Sequence, residues 1–138
     1  MSREVKRFGP LNWERCMELL GGKKTRRIGP NTYLESVPLN HTICVRFHNT
    51  DIIRFRADGK VLLYSGGYRS TTTKQRLCAL SPVHVHQHKH VWYVGEREFT
   101  EGMDVGSPVD ASTMIRRMAA AGDELAIAQL HDMTQEVG

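Results

Sequence analysis

The sequence predicts an α+β fold in which an antiparallel β-meander lies between helical segments. Three patterns support this prediction: apolar residues follow helical spacing before residue 21, alternate at strand spacing between residues 42 and 65, and return to helical spacing after residue 107. The chain has 138 residues and 40% hydrophobic content, enough for one core of ordinary domain size. We therefore expect a single domain over residues 1–138, with a sheet core at about residues 31–100.

The first helix is expected in the segment LNWERCMELL, which follows Pro10 and ends at Gly21 and Gly22. Its apolar residues recur at the i, i+3, i+4 and i+7 positions of one helix face: Trp13, Cys16, Met17 and Leu20. A basic stretch with Lys23, Lys24, Arg26 and Arg27 continues to Pro30. The next segment, NTYLESV, is a strand candidate that Pro38 ends.

The meander can be registered by pairing apolar residues across strands. A three-residue loop of Asn49, Thr50 and Asp51 would set Phe47 opposite Ile53 and Val45 opposite Phe55. A second three-residue loop of Ala57, Asp58 and Gly59, with Gly59 at positive φ, would set Phe55 opposite Val61 and Ile53 opposite Leu63.

This register puts nine residues on the opposite face of the meander: Cys44, Arg46, His48, Ile52, Arg54, Arg56, Lys60, Leu62 and Tyr64. Four of them are fixed cations, and like charges on neighbouring strands cost roughly several tenths of a kcal/mol each. An anionic ligand would relieve that repulsion, and the tyrosine offers a surface on which a base can stack. The alternative is a solvated face whose arginines point outward.

The segment SGGYRSTTTKQRLCAL contains the most site-like pattern in the chain. Gly66 and Gly67 end the preceding strand, and the Ser/Thr run offers N-caps for a short helix from Lys74 to Leu80, with Leu77, Cys78 and Leu80 turned inward. Free amides at a helix start, with hydroxyls and cations nearby, form an anion site. The alternative is a glycine turn before an ordinarily capped helix. The spacing of a P-loop is absent, so nucleotide triphosphatase activity is not supported.

A histidine-rich hairpin, VHVHQHKHVWYV, is expected from Val83 to Val94. With Gln87 to Lys89 as its loop, Val83, Val85, Val91 and Tyr93 would face inward, and His86 and His90 would be neighbours across the strands. His84, His86 and His90 are weak metal-ligand candidates because no cysteine or carboxylate completes the set. We therefore expect no metal and no cofactor, and interpret these histidines as exposed strand residues that form a pH-dependent patch.

The end of the chain, at about residues 108–134, is predicted to be helical. Pro108 and Asp110 are start signals. The apolar stripe of Met114, Ile115, Met118, Leu125 and Leu130 is interrupted at Gly122 and Asp123, which predicts one kinked helix or two short ones.

The overall charge is basic, at +4 with a pI near 9.1, and it favours anionic partners. No apolar run is long enough to span a bilayer, and the N-terminus lacks a secretory signal, so we expect a cytoplasmic protein with no membrane partner. The three cysteines, Cys16, Cys44 and Cys78, are widely spaced and predict neither a disulfide framework nor a zinc knuckle.

Three segments together resemble a family of small bacteriophage proteins. They are NTYLE (31–35), VRFHNTDII (45–53) and SGGYRSTTTKQR (65–76), with Asp58 and Gly59 between the last two. The family pattern is N-T-x-L, R-x-H-x-T-D and G-G-[WY]-x-[ST]-x-T-T-K-x-R, and Tyr68 stands where tryptophan is expected. The resemblance implies a phage origin, action in the host cell cytoplasm, and an accessory role such as countering host defence or handling nucleic acid.

The function that these patterns favour is phosphate-directed binding of nucleic acid or a nucleotide. The candidate ligand-binding residues are Arg46, His48, Arg54, Arg56, Tyr68, Arg69, Thr72, Thr73, Lys74 and Arg76. One alternative is a metal-independent phosphodiesterase or ribonuclease, with His48 as general base and Lys74 and Arg76 stabilising the transition state, although a second H-x-T motif is absent. Another is an inhibitor that occludes a host defence protein. The sequence leaves open DNA, RNA or a small nucleotide, and leaves open whether the chain forms a homodimer.

Overall fold

The structure, a computed structural model, describes residues 3–136, apart from the side chains at positions 39 and 133–136. Its helices are α1 Arg3–Lys6, α2 Trp13–Leu20, α3 Thr71–Leu80, α4 Ala111–Ala120 and α5 Glu124–Glu136. Its strands are β1 Thr25–Gly29, β2 Thr32–Val37, β3 Thr42–Phe47, β4 Thr50–Arg56, β5 Val61–Leu63, β6 Val85–His88, β7 Val91–Val94, β8 Arg97–Glu98 and β9 Met103–Asp104. Helices at both ends and antiparallel strands between them confirm the predicted α+β fold.

The strands form two antiparallel sheets. The larger sheet has the order β1-β2-β3-β4-β5-β9, and the smaller has the order β6-β7-β8. The central strands bury one row of apolar side chains, Ile43, Val45, Ile53, Phe55 and Leu63, in a cluster that also contains Trp13 and Cys16 of α2 and Leu77 and Leu80 of α3. One face of the larger sheet therefore packs against the core, and the opposite face points away from it.

Helix α2 forms as predicted because the sequence supplies a cap at each end. The Asn12 side chain accepts a hydrogen bond of 2.8 Å from the Arg15 amide, and Gly21 ends the helix in the left-handed conformation with φ of 56°. Trp13, Cys16 and Leu20 are buried, and Met17 packs against the core at its edge.

The second meander loop is also confirmed. Phe55 pairs with Val61 and Ile53 with Leu63, which leaves Ala57, Asp58 and Gly59 as the loop. Gly59 has φ of +98°, and a Cβ at this position would overlap the carbonyl oxygen of Ser107. Glycine is therefore required here by backbone conformation and by space.

The first meander loop was predicted incorrectly. A two-residue turn of His48 and Asn49 pairs Phe47 with Thr50. A β-bulge at Ile52 then sets Val45 opposite Ile53, where Phe55 was predicted. The register differs from the predicted one by two residues at Ile53, so Val45, Ile53 and Phe55 still share the core face. The bulge buries Ile52 as well, contrary to its predicted place on the outer face, and sets Asp51 opposite Arg46.

The histidine hairpin was given the wrong register for a related reason. Its turn has two residues, Lys89 and His90, with φ of 51° and 67°, where the prediction had three. His86 pairs with Tyr93, three residues beyond the predicted partner His90, and an odd shift exchanges the faces of β7. Trp92 is therefore buried on the inner face, and Tyr93 stacks on His86 on the outer one.

Two further boundaries differ from the prediction. The basic stretch after α2 forms the edge strand β1, which was not predicted. Strands at a sheet edge tolerate charged residues, so the arginines interrupt the apolar alternation by which a strand is recognised. Helix α3 begins at Thr71, three residues earlier than expected, so Thr72 and Thr73 lie inside its first turn.

Two helices at the C-terminus, separated at 121–123, settle the choice between one kinked and two short helices. Within residues 3–136, none of the helices is long and apolar enough to cross a membrane.

Candidate nucleic-acid interface

The outer face of the larger sheet is built by strand register. One row across the strands contains Arg27, Tyr33, Arg46 and Asp51, and the next contains Glu35, Cys44, Arg54 and Leu62. Arg56 follows Arg54 two residues later on β4, and Tyr64 lies beside Arg54. We call this surface the arginine face and define it by these residues: Arg27, Tyr33, Arg46, Asp51, Arg54, Arg56 and Tyr64.

The arginines of this face are exposed but not unpaired. Arg46 lies 3.2 Å from Asp51 and 3.4 Å from Glu35, and Arg54 lies 3.8 Å from Asp51. Arg56 reaches Asp58 at 2.8 Å, and Arg27 reaches Glu4 at 2.6 Å. The repulsion between cations that was expected from the sequence is therefore largely offset by carboxylates. An anionic ligand is not needed to relieve it.

The same carboxylates hold the guanidinium groups in place. The hydrogen bond and the charge of Asp51, followed by the charge of Glu35, raise the pKa of Arg46 above its ordinary value. The side chains of Arg46, Arg54 and Arg56 still keep 42–43% of their surface exposed. They can contact a phosphate without leaving their carboxylate partners.

A concavity of about 460 Å³ opens on this face. It is lined by Val37, Asn40, Thr42, Cys44, Asp51, Arg54, Arg56 and Leu62. Burial, followed by the nearby charge of Asp51, raises the pKa of the Cys44 thiol to about 12, so the thiol is not a nucleophile at neutral pH. The lining is thus suited to binding rather than to covalent chemistry.

Two tyrosines on this face offer rings for stacking. The Arg54 guanidinium lies 4.6 Å from the centre of the Tyr64 ring. Tyr33 is 42% exposed and pairs with Arg27 on one side and with Arg46 on the other. Tyr33 was not among the candidate residues, although its position between the buried Thr32 and Leu34 of a predicted strand could have indicated it.

The glycine pair makes an anion-binding turn that an internal carboxylate occupies. Gly66 and Gly67 have φ of 69° and 79°, and the Ser65 amide donates to a Glu101 carboxylate oxygen at 2.7 Å while the Ser65 hydroxyl contacts the other oxygen. Burial alone would raise the pKa of Glu101, but hydrogen bonds from the Ser65 hydroxyl and the amides of Ser65, Gly67 and Gly66 lower it below its usual range. The loop thus binds an anion within the protein.

The start of α3 is likewise satisfied from within. Ser70 is the N-cap and accepts from the Thr73 amide at 3.1 Å, and its hydroxyl lies 3.0 Å from that of Thr73, which is buried. Lys74 donates to the Gln87 side chain at 3.3 Å. Thr72 and Tyr68 remain exposed, Tyr68 at 78%.

Two arginines of this segment contact core side chains, Arg69 from an exposed position and Arg76 from a buried one. Arg69 lies over the rings of Phe99 and Trp92, at 5.1 and 5.7 Å, and donates to the Phe99 carbonyl. Arg76 is only 4% exposed and donates to the Thr32 hydroxyl at 2.7 Å and the Pro30 carbonyl at 3.1 Å. Its guanidinium lies 4.3 Å from the Phe47 ring centre, and burial lowers its pKa.

The catalytic hypothesis is not supported by this geometry. His48 lies in the β3–β4 turn with φ of 54°, off the strand face on which it was predicted, and its ring rests 4.4 Å from that of Phe47. Because Arg76 is buried and Lys74 is bonded to Gln87, His48, Lys74 and Arg76 share no open site. Among the described residues, His84, His86 and His90 belong to no metal-holding group of three or more side chains.

A known protein family matches the sheet-forming part of the chain. The family model described as Kyanoviridae Gp96 protein matches residues 15–106, about two thirds of the chain. The match contains every strand and α3, whereas α4 and α5 lie beyond it. No curated protein and no solved structure matches the chain.

Proposed function

Because the chain belongs to the Kyanoviridae Gp96 family of phage proteins, we propose that it is a phage accessory protein that binds single-stranded nucleic acid on the arginine face. One observation carries the proposal: strand register brings four solvent-accessible arginines, one exposed and three half-buried, and two tyrosines onto the sheet face opposite the core. Basic side chains that follow a backbone, interleaved with rings on which bases stack, are the usual elements of single-strand binding.

The charges of the face also favour a particular strength of binding. Each arginine already shares a carboxylate, so a phosphate has to compete with Asp51, Glu35, Asp58 or Glu4 for it. We therefore expect moderate affinity that decreases as salt rises, with a slope of about 0.7 for each phosphate neutralised. Selection among base sequences is expected to be weak because stacking accepts every base.

The proposal is tested by replacing Arg54 and Arg56 together with alanine. Retention of labelled single-stranded RNA, single-stranded DNA and duplex DNA is measured at two salt concentrations with EDTA present. We expect about tenfold weaker binding of single strands and a salt slope smaller by about 1.4, which is two phosphate contacts. Lys89→Ala with Arg97→Ala is the matched control, because it removes the same charge from exposed positions on the smaller sheet.

The outcomes separate site-specific binding from general attraction. Equal losses in both double variants would indicate attraction by net charge alone, and unchanged binding in the Arg54/Arg56 variant would refute the arginine face as the site. The same reactions report cleavage: strand cleavage that disappears in His48→Ala would replace the binding proposal with the phosphodiesterase alternative.

A small nucleotide is a second candidate ligand for the same face. Its support is the concavity of about 460 Å³, which lies in the size range of small-molecule sites and has Arg54 and Arg56 in its lining. A mononucleotide that binds tightly at moderate salt and displaces the labelled strand would favour this ligand. Strand binding that excess mononucleotide does not displace would favour the nucleic acid.

A further inference from the structure

Helix α5 leaves apolar side chains uncovered on the surface. It packs along α4 and buries Ala126, while Leu125 is 79% and Ile127 is 48% exposed. These two residues lie about 100° to either side of Ala126 around the helix axis, so both flanks of α5 are apolar next to its contact with α4. Among the described residues, the other exposed large apolar side chains are Tyr68 at 78% and Tyr33 at 42%.

The charge of this helix is opposite to that of the rest of the chain. Residues 118–138 contain Asp123, Glu124, Asp132 and Glu136 and no lysine or arginine, although the whole chain carries +4. Glu124 and Asp132 are exposed. Helix α5 is therefore an acidic element with apolar flanks on an otherwise basic protein.

A groove of complementary character lies next to the α4–α5 turn. It has a volume of about 390 Å³, and its lining is mainly apolar with two lysines: Met17, Leu20, Gly22, Lys23, Lys24, Ser36, Pro38, Ala120 and Ala121. Both lysines are exposed, and no carboxylate of the described residues forms an ion pair with either of them. We call it the lysine groove.

The start of α5 is fixed beside this groove. The Asp123 side chain accepts from the Ala126 amide at 3.0 Å and lies 3.2 Å from the His41 imidazole, three residues after Pro38 in the groove lining. Ala120 and Ala121 close the groove just before the turn at Gly122. The acidic helix and the basic groove are therefore neighbours on one chain.

We propose that α5 of one copy docks in the lysine groove of a second copy, and that the second copy returns the same contact. Leu125 enters the apolar lining, and the exposed carboxylates Glu124 and Asp132, which lie on the same side of the helix as Leu125, meet Lys23 and Lys24. A two-fold axis close to Gly122 makes both contacts at once because helix and groove are adjacent, so the assembly closes as a dimer. The occupant is a second copy because one chain carries both complementary surfaces.

The test compares three variants by sedimentation velocity from about 1 µM to about 100 µM. Leu125→Glu removes the apolar contact, Lys23→Glu with Lys24→Glu reverses the groove charge, and Glu124→Lys with Asp132→Lys reverses the helix charge. We expect a dimer for the unmodified chain and a Kd at least about tenfold weaker for each variant. All five positions are exposed, so circular dichroism should show the fold intact.

A mixing experiment separates this contact from other routes to a dimer. The groove-reversed and helix-reversed variants, each weakened in self-association, should form a heterodimer when combined because opposite charges meet again at both contacts. Tyr68→Glu, which changes an equally open side chain elsewhere, should leave the Kd unchanged. An unmodified chain that is monomeric at the highest concentration, variants that dimerise as tightly as the unmodified chain, or charge-reversed variants that fail to pair on mixing, would overturn the proposal. Nucleic-acid binding by the arginine face is read separately and does not depend on the outcome.

Discussion

The arginine face and the segment from Ser65 to Arg76 contain similar residues and use them in opposite ways. On the arginine face, the guanidinium groups of Arg46, Arg54 and Arg56 each form an ion pair with a carboxylate and remain accessible to solvent. In the segment, Glu101 accepts from the amide and the hydroxyl of Ser65, Ser70 caps α3, and Arg76 is buried. Both regions were predicted to bind phosphate, but the second uses Arg76 and its helix-start amide in internal contacts, and Arg69 is its exposed arginine.

The difference follows from how each element presents its polar groups. Alternate side chains of a strand point away from the core, so a cation on that side remains in solvent unless something covers it. A left-handed glycine turn and a helix start instead expose backbone amides that must be satisfied, and an internal side chain can satisfy them as well as a ligand. A sequence rich in anion-binding groups therefore indicates a ligand site only where no internal partner is within reach.

The largest effect is expected for Arg76→Ala, which tests the structural use of a cation in the second region. The substitution leaves a cavity beside Phe47 and removes the donor to the Thr32 hydroxyl, so we expect the free energy of unfolding to fall by about 3 kcal/mol. Arg76→Met keeps most of the volume and removes a desolvated charge, so its cost should be smaller.

Urea titration measures both Arg76 variants, and the strand-binding assay is run below the unfolding transition. Binding should be unchanged in whichever variant remains folded because the guanidinium does not reach the surface. A variant that keeps its stability and loses binding would contradict the buried, structural role of Arg76.

The next effect is that of Glu101→Gln, which tests whether the glycine turn is committed to an internal anion. Because the folded-state pKa of Glu101 lies below its unfolded value, the ionised carboxylate stabilises the fold at neutral pH, and this contribution is lost as pH falls through the folded pKa, below the usual range near ~4.3. We expect a loss of about 1 kcal/mol at pH 7, reduced by the partial exposure of the side chain.

Thermal unfolding of Glu101→Gln at pH 7 and at about pH 3 checks the sign, because the difference from the unmodified chain should shrink once the pH falls below the unfolded-state pKa of Glu101. A difference that grows on acidification would contradict the proposed hydrogen bonds. A gain in phosphate binding by Glu101→Gln would sharpen the comparison, since it would reveal the latent anion site of the loop.

The parts of the fold that could be predicted depend on local patterns. Helix α2, the Ala57–Gly59 loop and the C-terminal helices follow from caps, a required positive φ and apolar periodicity within a few residues. The two incorrect hairpins have loops of two residues where three were expected. Neither His48-Asn49 nor Lys89-His90 contains the glycine that usually marks such a turn, so the sequence carried no signal for it.

The part of the candidate site that depends on strand alternation was predicted correctly. Arg46, Arg54 and Arg56 share a face because the period of a strand is two, and an error of two residues in register preserves that face. The internal partners could not be predicted: Glu101 lies 36 residues from Ser65, and Arg76 lies 44 residues from Thr32. Contacts at such separations depend on the folded arrangement of α3 and β9, which no local pattern specifies.

The smallest effect is expected for Asp51→Asn, which tests the open state of the arginine face itself. Asp51 is shared by Arg46 and Arg54, and asparagine keeps its shape while removing the charge with which a phosphate has to compete. We expect strand affinity to rise by about threefold at low salt, with a steeper salt slope, because two guanidinium groups become better able to neutralise phosphates. Glu35→Gln is the graded control: among the described residues Glu35 forms an ion pair with Arg46 alone, at 3.4 Å, so its gain should be smaller. A fall in affinity with Asp51→Asn would mean that the carboxylate orients the arginines more than it competes for them, and the face would then work as a preorganised site rather than as a partly neutralised one.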